Sequence, residues 1–99
     1  MNSTDKKRQF ILEFLLPYNH DVSLDVVEDM IKAGQIMGYD SKELFKELVS
    51  MDNQHDQLLK ITYLPTQDDH YIVNSDNSTW ISSKGERLLC VLRGQLPGN

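Results

Sequence analysis

The chain has 99 residues, 39% of them hydrophobic and 25% charged, an ordinary balance for one globular domain and too apolar for a disordered segment. A domain of this size buries roughly 60–65% of its unfolded surface, which leaves little core volume for a deep substrate cavity. Ten Lys and Arg against fifteen Asp and Glu give a formal charge of −5, which argues against indiscriminate attraction to nucleic acid or membrane, so any such contact needs a local cluster of cations.

At the start, Lys6-Lys7-Arg8 followed by the apolar run from Phe10 to Leu16 has the outline of a secretion signal. The run is only about seven residues long, Glu13 interrupts it and no small-residue cleavage site follows, so a cytoplasmic protein is expected. No stretch approaches the roughly 18 apolar residues of a membrane span. Cys90 is the single cysteine, which rules out an intrachain disulfide and a Cys-rich zinc site. The spacing predicts a first helix from about Thr4 to Leu16, capped by Ser3 or Thr4 and stopped by Pro17. Phe10, Ile11, Phe14 and Leu15 form its stripe, broadened by Leu12 and Leu16.

The second helix is expected to begin at a Ser23 cap, with Asp25, Glu28 and Asp29 near its positive N-terminal end. Val27, Met30, Ile31 and Gly34 share one face, extended by Ile36 and Met37, and Gly38 ends it. Asp40 and Glu43 have capping-box spacing for a third helix carrying Leu44, Phe45, Leu48 and Val49 and fading near Asn53. Two helices joined by so short a glycine-containing turn form a helix-turn-helix candidate.

Beyond a polar break at residues 53–57 the period changes to two, with Leu59, Ile61 and Tyr63 on one face of a strand. Residues 65–69 read as a loop, His70 to Asn74 as a second strand with Tyr71 and Val73 on one face, and Ser75 to Ser78 as a turn. Thr79-Trp80-Ile81 is a short extended piece, and Ser82 or Ser83 caps a last helix with a Leu88, Leu89 and Leu92 stripe, ended by Gly94 and Pro97. The expected fold is a single α+β domain over residues 1–99. Leu15, Ile31, Leu48, Ile61, Trp80 and Leu89 should be buried together.

Gly38-Tyr39-Asp40 with Leu44-Phe45-Lys46-Glu47-Leu48, and Trp80-Ile81-Ser82-Ser83-Lys84-Gly85-Glu86-Arg87-Leu88-Leu89, resemble the turn, third helix and post-wing segment of small bacterial and prophage winged-helix proteins of the YjcQ-like type. The resemblance covers roughly residues 22–92. It implies a winged helix-turn-helix, with a three-helix core, a β-hairpin wing and a C-terminal helix, and a DNA-binding transcriptional regulator of a bacterium or its mobile elements. The partner would be double-stranded DNA, read by a homodimer across two half-sites. In the post-wing segment a hydroxyl caps the helix and Gly85 lets its first turn lie close against the sheet.

Under that reading Ser41, Lys42, Lys46 and Ser50 project from the third helix into the major groove, while Lys60, Lys84 and Arg87 contact phosphates. The plainer reading makes Lys42, Glu43, Lys46 and Glu47 a solvated face of offsetting i, i+4 pairs. The net charge and Asp68-Asp69 at the wing tip motivate an alternative, an acidic winged-helix module that binds a protein partner and no DNA. No catalytic pair, cofactor motif or metal-ligand spacing is present, so neither an enzyme nor a cofactor is expected. Asp68-Asp69-His70 and His55-Asp56 read as loop residues, Trp80 as core, and Cys90 as a packed or dimer-surface residue. The broad apolar faces of the first helix and of the last, which adds Val91, suggest a twofold interface.

Overall fold

The computed structural model of the chain describes residues 2–65, 70–74 and 79–95, with the backbone alone for 64, 65 and 70–74. It is a mostly helical α+β fold: α1 (Ser3–Leu15), a 3-10 turn (Leu16–Tyr18), α2 (Leu24–Ile36), α3 (Ser41–Ser50), β1 (Ile61–Pro65), β2 (His70–Asn74) and α4 (Ser83–Leu92). Among the described residues no helix is long and apolar enough to cross a membrane. The expected turns at Asp68-Asp69 and at residues 75–78, and Pro97, lie outside the described residues.

Each helix start is set by a side-chain acceptor that satisfies an otherwise orphaned N–H. Ser23 Oγ accepts from Val26 N, Asp40 Oδ2 from Glu43 N and Ser82 Oγ from Gly85 N. The cap of α1 is Asn2 and neither Ser3 nor Thr4: its Oδ1 accepts from Asp5 N at 2.7 Å. At the far end Pro17 lies in the 3-10 turn, so α1 stops at Leu15, one residue before the expected end. The last helix is capped by Ser82, which sets Gly85 three residues on and replaces the Ser83/Glu86 alternative.

Gly38 and Gly94 close α2 and α4 in the left-handed region, at φ +96° and +77°. In both, the two following amides turn back onto the helix: Gly38 N on Gln35 O and Tyr39 N on Gly34 O, then Gly94 N on Val91 O and Gln95 N on Cys90 O. These bonds reverse the chain at Gly38 and keep the α2–α3 connection short. The third helix ends at Ser50, earlier than its periodicity implies, because residues 51–59 fold back onto it: Leu58 and Leu59 N both donate to Met51 O.

Strands β1 and β2 pair antiparallel, Ile61 opposite Asn74 and Pro65 opposite His70. Leu59 belongs to no ladder but forms an isolated bridge with Ile81, flanked by Lys60 N on Trp80 O and Ser82 N on Leu58 O. Trp80 is wholly buried and fastened to the link after α1, with Nε1 on Asp21 O and its amide on Asn19. Gly85 packs so closely that a Cβ there would sit 2.1 Å from Leu58 O and 2.9 Å from Ile81 Cγ2.

Of the six residues expected in the core, five are buried; Ile31 is half-buried. It faces a groove between α2 and α3. Of the two residues expected to broaden the α1 stripe, Leu12 is fully buried and Leu16 is 39% exposed. Ile36 and Met37 do not extend the core face of α2, since the chain turns at Gly38 and leaves them 88% and 66% exposed.

Two substitutions check this packing. Leu48→Ala should cost about 2–5 kcal/mol, as for other buried leucines. Gly85→Ala should cost about 1–3 kcal/mol through overpacking against a carbonyl that cannot move aside freely. Urea denaturation reads both, and a cost under about 1 kcal/mol for either contradicts the corresponding contact.

Candidate nucleic-acid interface

On α3, Leu44 and Leu48 face the core, and Phe45 meets Tyr63 of β1 edge-on with ring centroids 5.6 Å apart. Helical spacing places Lys42 and Lys46, one turn apart, on the side away from Leu44 and Leu48, and both are exposed. The acidic residues beside them are taken up elsewhere. Glu43 pairs with Lys7 of α1 at 3.6 Å, and Glu47 accepts from Arg8 Nε at 2.7 Å. The glutamates of α3 are thus paired across helices and not within their own, and among the described residues no ion pair engages Lys42 or Lys46.

Arg8 is the hub of this arrangement. Its Nη2 donates to Asp56 Oδ2 at 2.5 Å and to Ser50 Oγ at 3.4 Å, and the Ser50 hydroxyl turns back onto Glu47. Partial burial pulls the guanidinium pKa down, but the hydrogen bonds and charges of Glu47 and Asp56 together outweigh it and hold it above the ordinary arginine value. Arg8 stays charged at any accessible pH.

The seven expected contact residues do not form one continuous patch. Ser41 and Lys42 stand in the first turn of α3, with Ser41 Oγ accepting from Gln35 Nε2, and Lys46 follows one turn on. Ser50, at the other end of α3, is bound into the Arg8 cluster. Lys84 Nζ donates to Asp56 O at 2.9 Å, so it sits beside that same cluster, and Arg87 is exposed a turn further along α4. Lys60 is half-buried, its amide on Trp80 O. By helical spacing Lys42, Lys46 and Ser50 follow one another along one ridge of α3, whereas Ser41 falls on the stripe of Leu44 and Leu48 and lines the groove between α2 and α3.

Two hollows flank that face. One, of about 270 Å³, lies between α1 and α3 and is lined by Lys7, Glu43, Lys46, Glu47 and Ser50. The other is a groove of about 580 Å³ between α2 and α3, with Val27, Ile31 and Phe45 in its wall and Glu28, Lys32, Gln35 and Lys42 around it. Ile31 is half-buried because it lines this groove.

Sequence spacing missed two residues. Arg8 looked like part of a basic start to the chain, since its partners lie 39 and 48 residues away. Asp52 fell at the edge of a polar break but is fully buried, accepting from Gln54 N at 2.9 Å, Tyr63 N at 3.2 Å and His55 Nδ1 at 2.7 Å. A buried carboxylate needs such donors. His55 is therefore an Asp52 partner, and among the described residues no cluster of His, Cys, Asp or Glu is placed to hold a metal ion. Against models of known protein families, curated proteins and solved structures, the chain finds no match.

Burial, reinforced by the Asp52 charge, pushes the Tyr63 phenol well above the ordinary tyrosine value of 10.0. Above that value the unfolded chain gives up the Tyr63 proton and the folded chain keeps it, so stability falls as pH rises past the unfolded pKa. The thermal midpoint should therefore drop between about pH 9 and 11, and Tyr63→Phe should shrink the drop. An unchanged pH dependence in the variant contradicts the placement of Tyr63.

Proposed function

We propose that this chain is a small winged-helix DNA-binding protein, a transcriptional regulator, with α3 as its recognition helix and the β1–β2 hairpin as its wing. The observation that carries the reading is that Arg8 draws Glu47 in from the outer face of α3, while the exposed Glu43 is paired with Lys7. A chain of net charge −5 then still presents Lys42 and Lys46 one turn apart on an outward helix ridge, with the exposed Glu43 beside them paired to Lys7. The bonded Gly38 turn supports it by setting α2 and α3 at the short spacing of a helix-turn-helix. In this reading Ser41 and Lys42 enter the major groove at the N-terminal end of α3, and Lys46 reaches a phosphate or base edge one turn later. Lys60 and Arg87 serve phosphates outside the groove. Ser50 and Lys84 hold the fold together instead, because the Arg8–Asp56 cluster occupies them.

So few ionic contacts per copy make affinity modest and salt-sensitive, falling at a log–log slope of about −0.9 for each phosphate contacted. A short helix reads few base pairs, so two copies on adjacent half-sites supply the specificity. A second reading, a module that binds a protein segment, is favoured by the apolar wall that Val27, Ile31 and Phe45 give the α2–α3 groove.

Fluorescence anisotropy on a pool of duplexes with randomised centres, at low salt, tests the first reading against the second. Wild type should bind and lose affinity steeply with salt. Lys46→Glu should abolish binding while leaving the thermal midpoint nearly unchanged, since Lys46 is exposed. Absence of wild-type binding at low salt overturns the DNA reading and leaves the groove as the working surface, and a Lys46→Glu variant that binds equally well overturns α3 as the recognition helix.

A further inference from the structure

The most exposed large apolar side chains described belong to neither α3 nor the hairpin. Ile36 is 88% exposed and Met37 66%, at the end of α2 where the Gly38 turn holds them out. Beside them lies a hollow of about 300 Å³ lined by Lys6, Gln9, Phe10, Glu13, Met37 and Tyr39. Its aromatic side continues as a row of rings, Tyr39 to Phe10 at 5.3 Å, Phe10 to Phe14 at 6.2 Å and Phe14 to Tyr18 at 5.6 Å between centroids. At the far end of that row Leu16 and Tyr18 are 39% and 42% exposed. An apolar knob thus stands beside a hollow at one end of α1, with further exposed apolar surface at the other end.

The charges along this face are ordered. Helical spacing puts Lys6 and Glu13 on the side of α1 away from Ile11 and Leu15, two turns and roughly 10 Å apart along the axis. Asp5 adjoins Lys6, and Arg93, just beyond α4, donates to Glu13. That hydrogen bond, against a smaller opposing effect of burial, holds the Glu13 carboxyl below its usual pKa, so it is ionised at neutral pH. One end of the face thus carries Asp5 and Lys6, and the other Glu13 with Arg93. A partner that reverses the direction of α1 meets each charge with its opposite.

We propose that this α1 face is the contact between two copies of the chain, packed antiparallel about a twofold axis. Lys6 of each copy faces Glu13 of the other and Asp5 faces Arg93, while Ile36 and Met37 pack over the aromatic row of the second copy. The second copy is the occupant because the charge order is self-complementary only under reversal, which is what an isologous interface requires. Leu12, fully buried, has no part in this contact.

Sedimentation equilibrium on the full chain, from micromolar to hundreds of micromolar, tests the contact without any DNA present, so its failure and that of DNA binding are told apart. Wild type should approach dimer mass within that range. Ile36→Asp should weaken association at least about tenfold, as expected for an apolar anchor, with the thermal midpoint unchanged. Lys6→Glu should also weaken it, and adding Glu13→Lys to the same chain should recover part of the loss. A wild type that stays monomeric, an Ile36→Asp variant that associates as tightly as wild type, or a double variant no tighter than Lys6→Glu alone overturns the proposal.

Discussion

The bond between Arg8 and Glu47 decides what the third helix presents. A carboxylate left on that surface would repel any anionic partner of Lys42 and Lys46; here it faces inward onto a guanidinium whose side chain is only 19% exposed. Hydrogen bonds to charged groups are worth about 1.5–3 kcal/mol when partly shielded from water. Arg8 makes several at once, to Glu47, Asp56 and Ser50. Lysine could not replace it, because a single ammonium lacks the planar fork that reaches acceptors on two elements. The same residue joins α1 to the loop after α3, and through Asp56 O to Lys84 at the start of α4. One side chain thus couples the charge of the outer face to the seating of three helices.

The hairpin is positioned by two further constraints. Asp52, buried just beyond α3, accepts from the Tyr63 amide and so ties the end of that helix to the middle of β1. Gly85 lets the first turn of α4 lie against Leu58 O, where any side chain would collide. Between them the Leu59–Ile81 bridge and the Asn19 contacts to Trp80 and Ile81 close the structure back onto the link after α1. The outer face of α3 and the strands after it therefore keep a fixed relation.

Features that depend on neighbours in sequence were legible. The caps at Ser23 and Asp40, the glycine stops at Gly38 and Gly94, the close approach at Gly85 and most of the core follow from spacing and residue type. Those that depend on partners far along the chain were not. Pairing Lys42 and Lys46 with Glu43 and Glu47 is the natural reading of four adjacent charges, and only the packing of α1 on α3 assigns the glutamates to Lys7 and Arg8. Asp52 hid in a polar stretch for the same reason, since its donors include an amide 11 residues away. Ile36 and Met37 fit the stripe of α2 by period, but the helix ends before the core does.

The charge arrangement on α3 is the centre of this account, and backbone-amide shift mapping in the presence of a low-salt duplex probes it residue by residue. The predicted result is a set of shifts that concentrates on Ser41, Lys42 and Lys46 and extends to β1, leaving Val27 and Ile31 in place. Shifts centred on the α2–α3 groove, or none at all at saturating duplex, would contradict it.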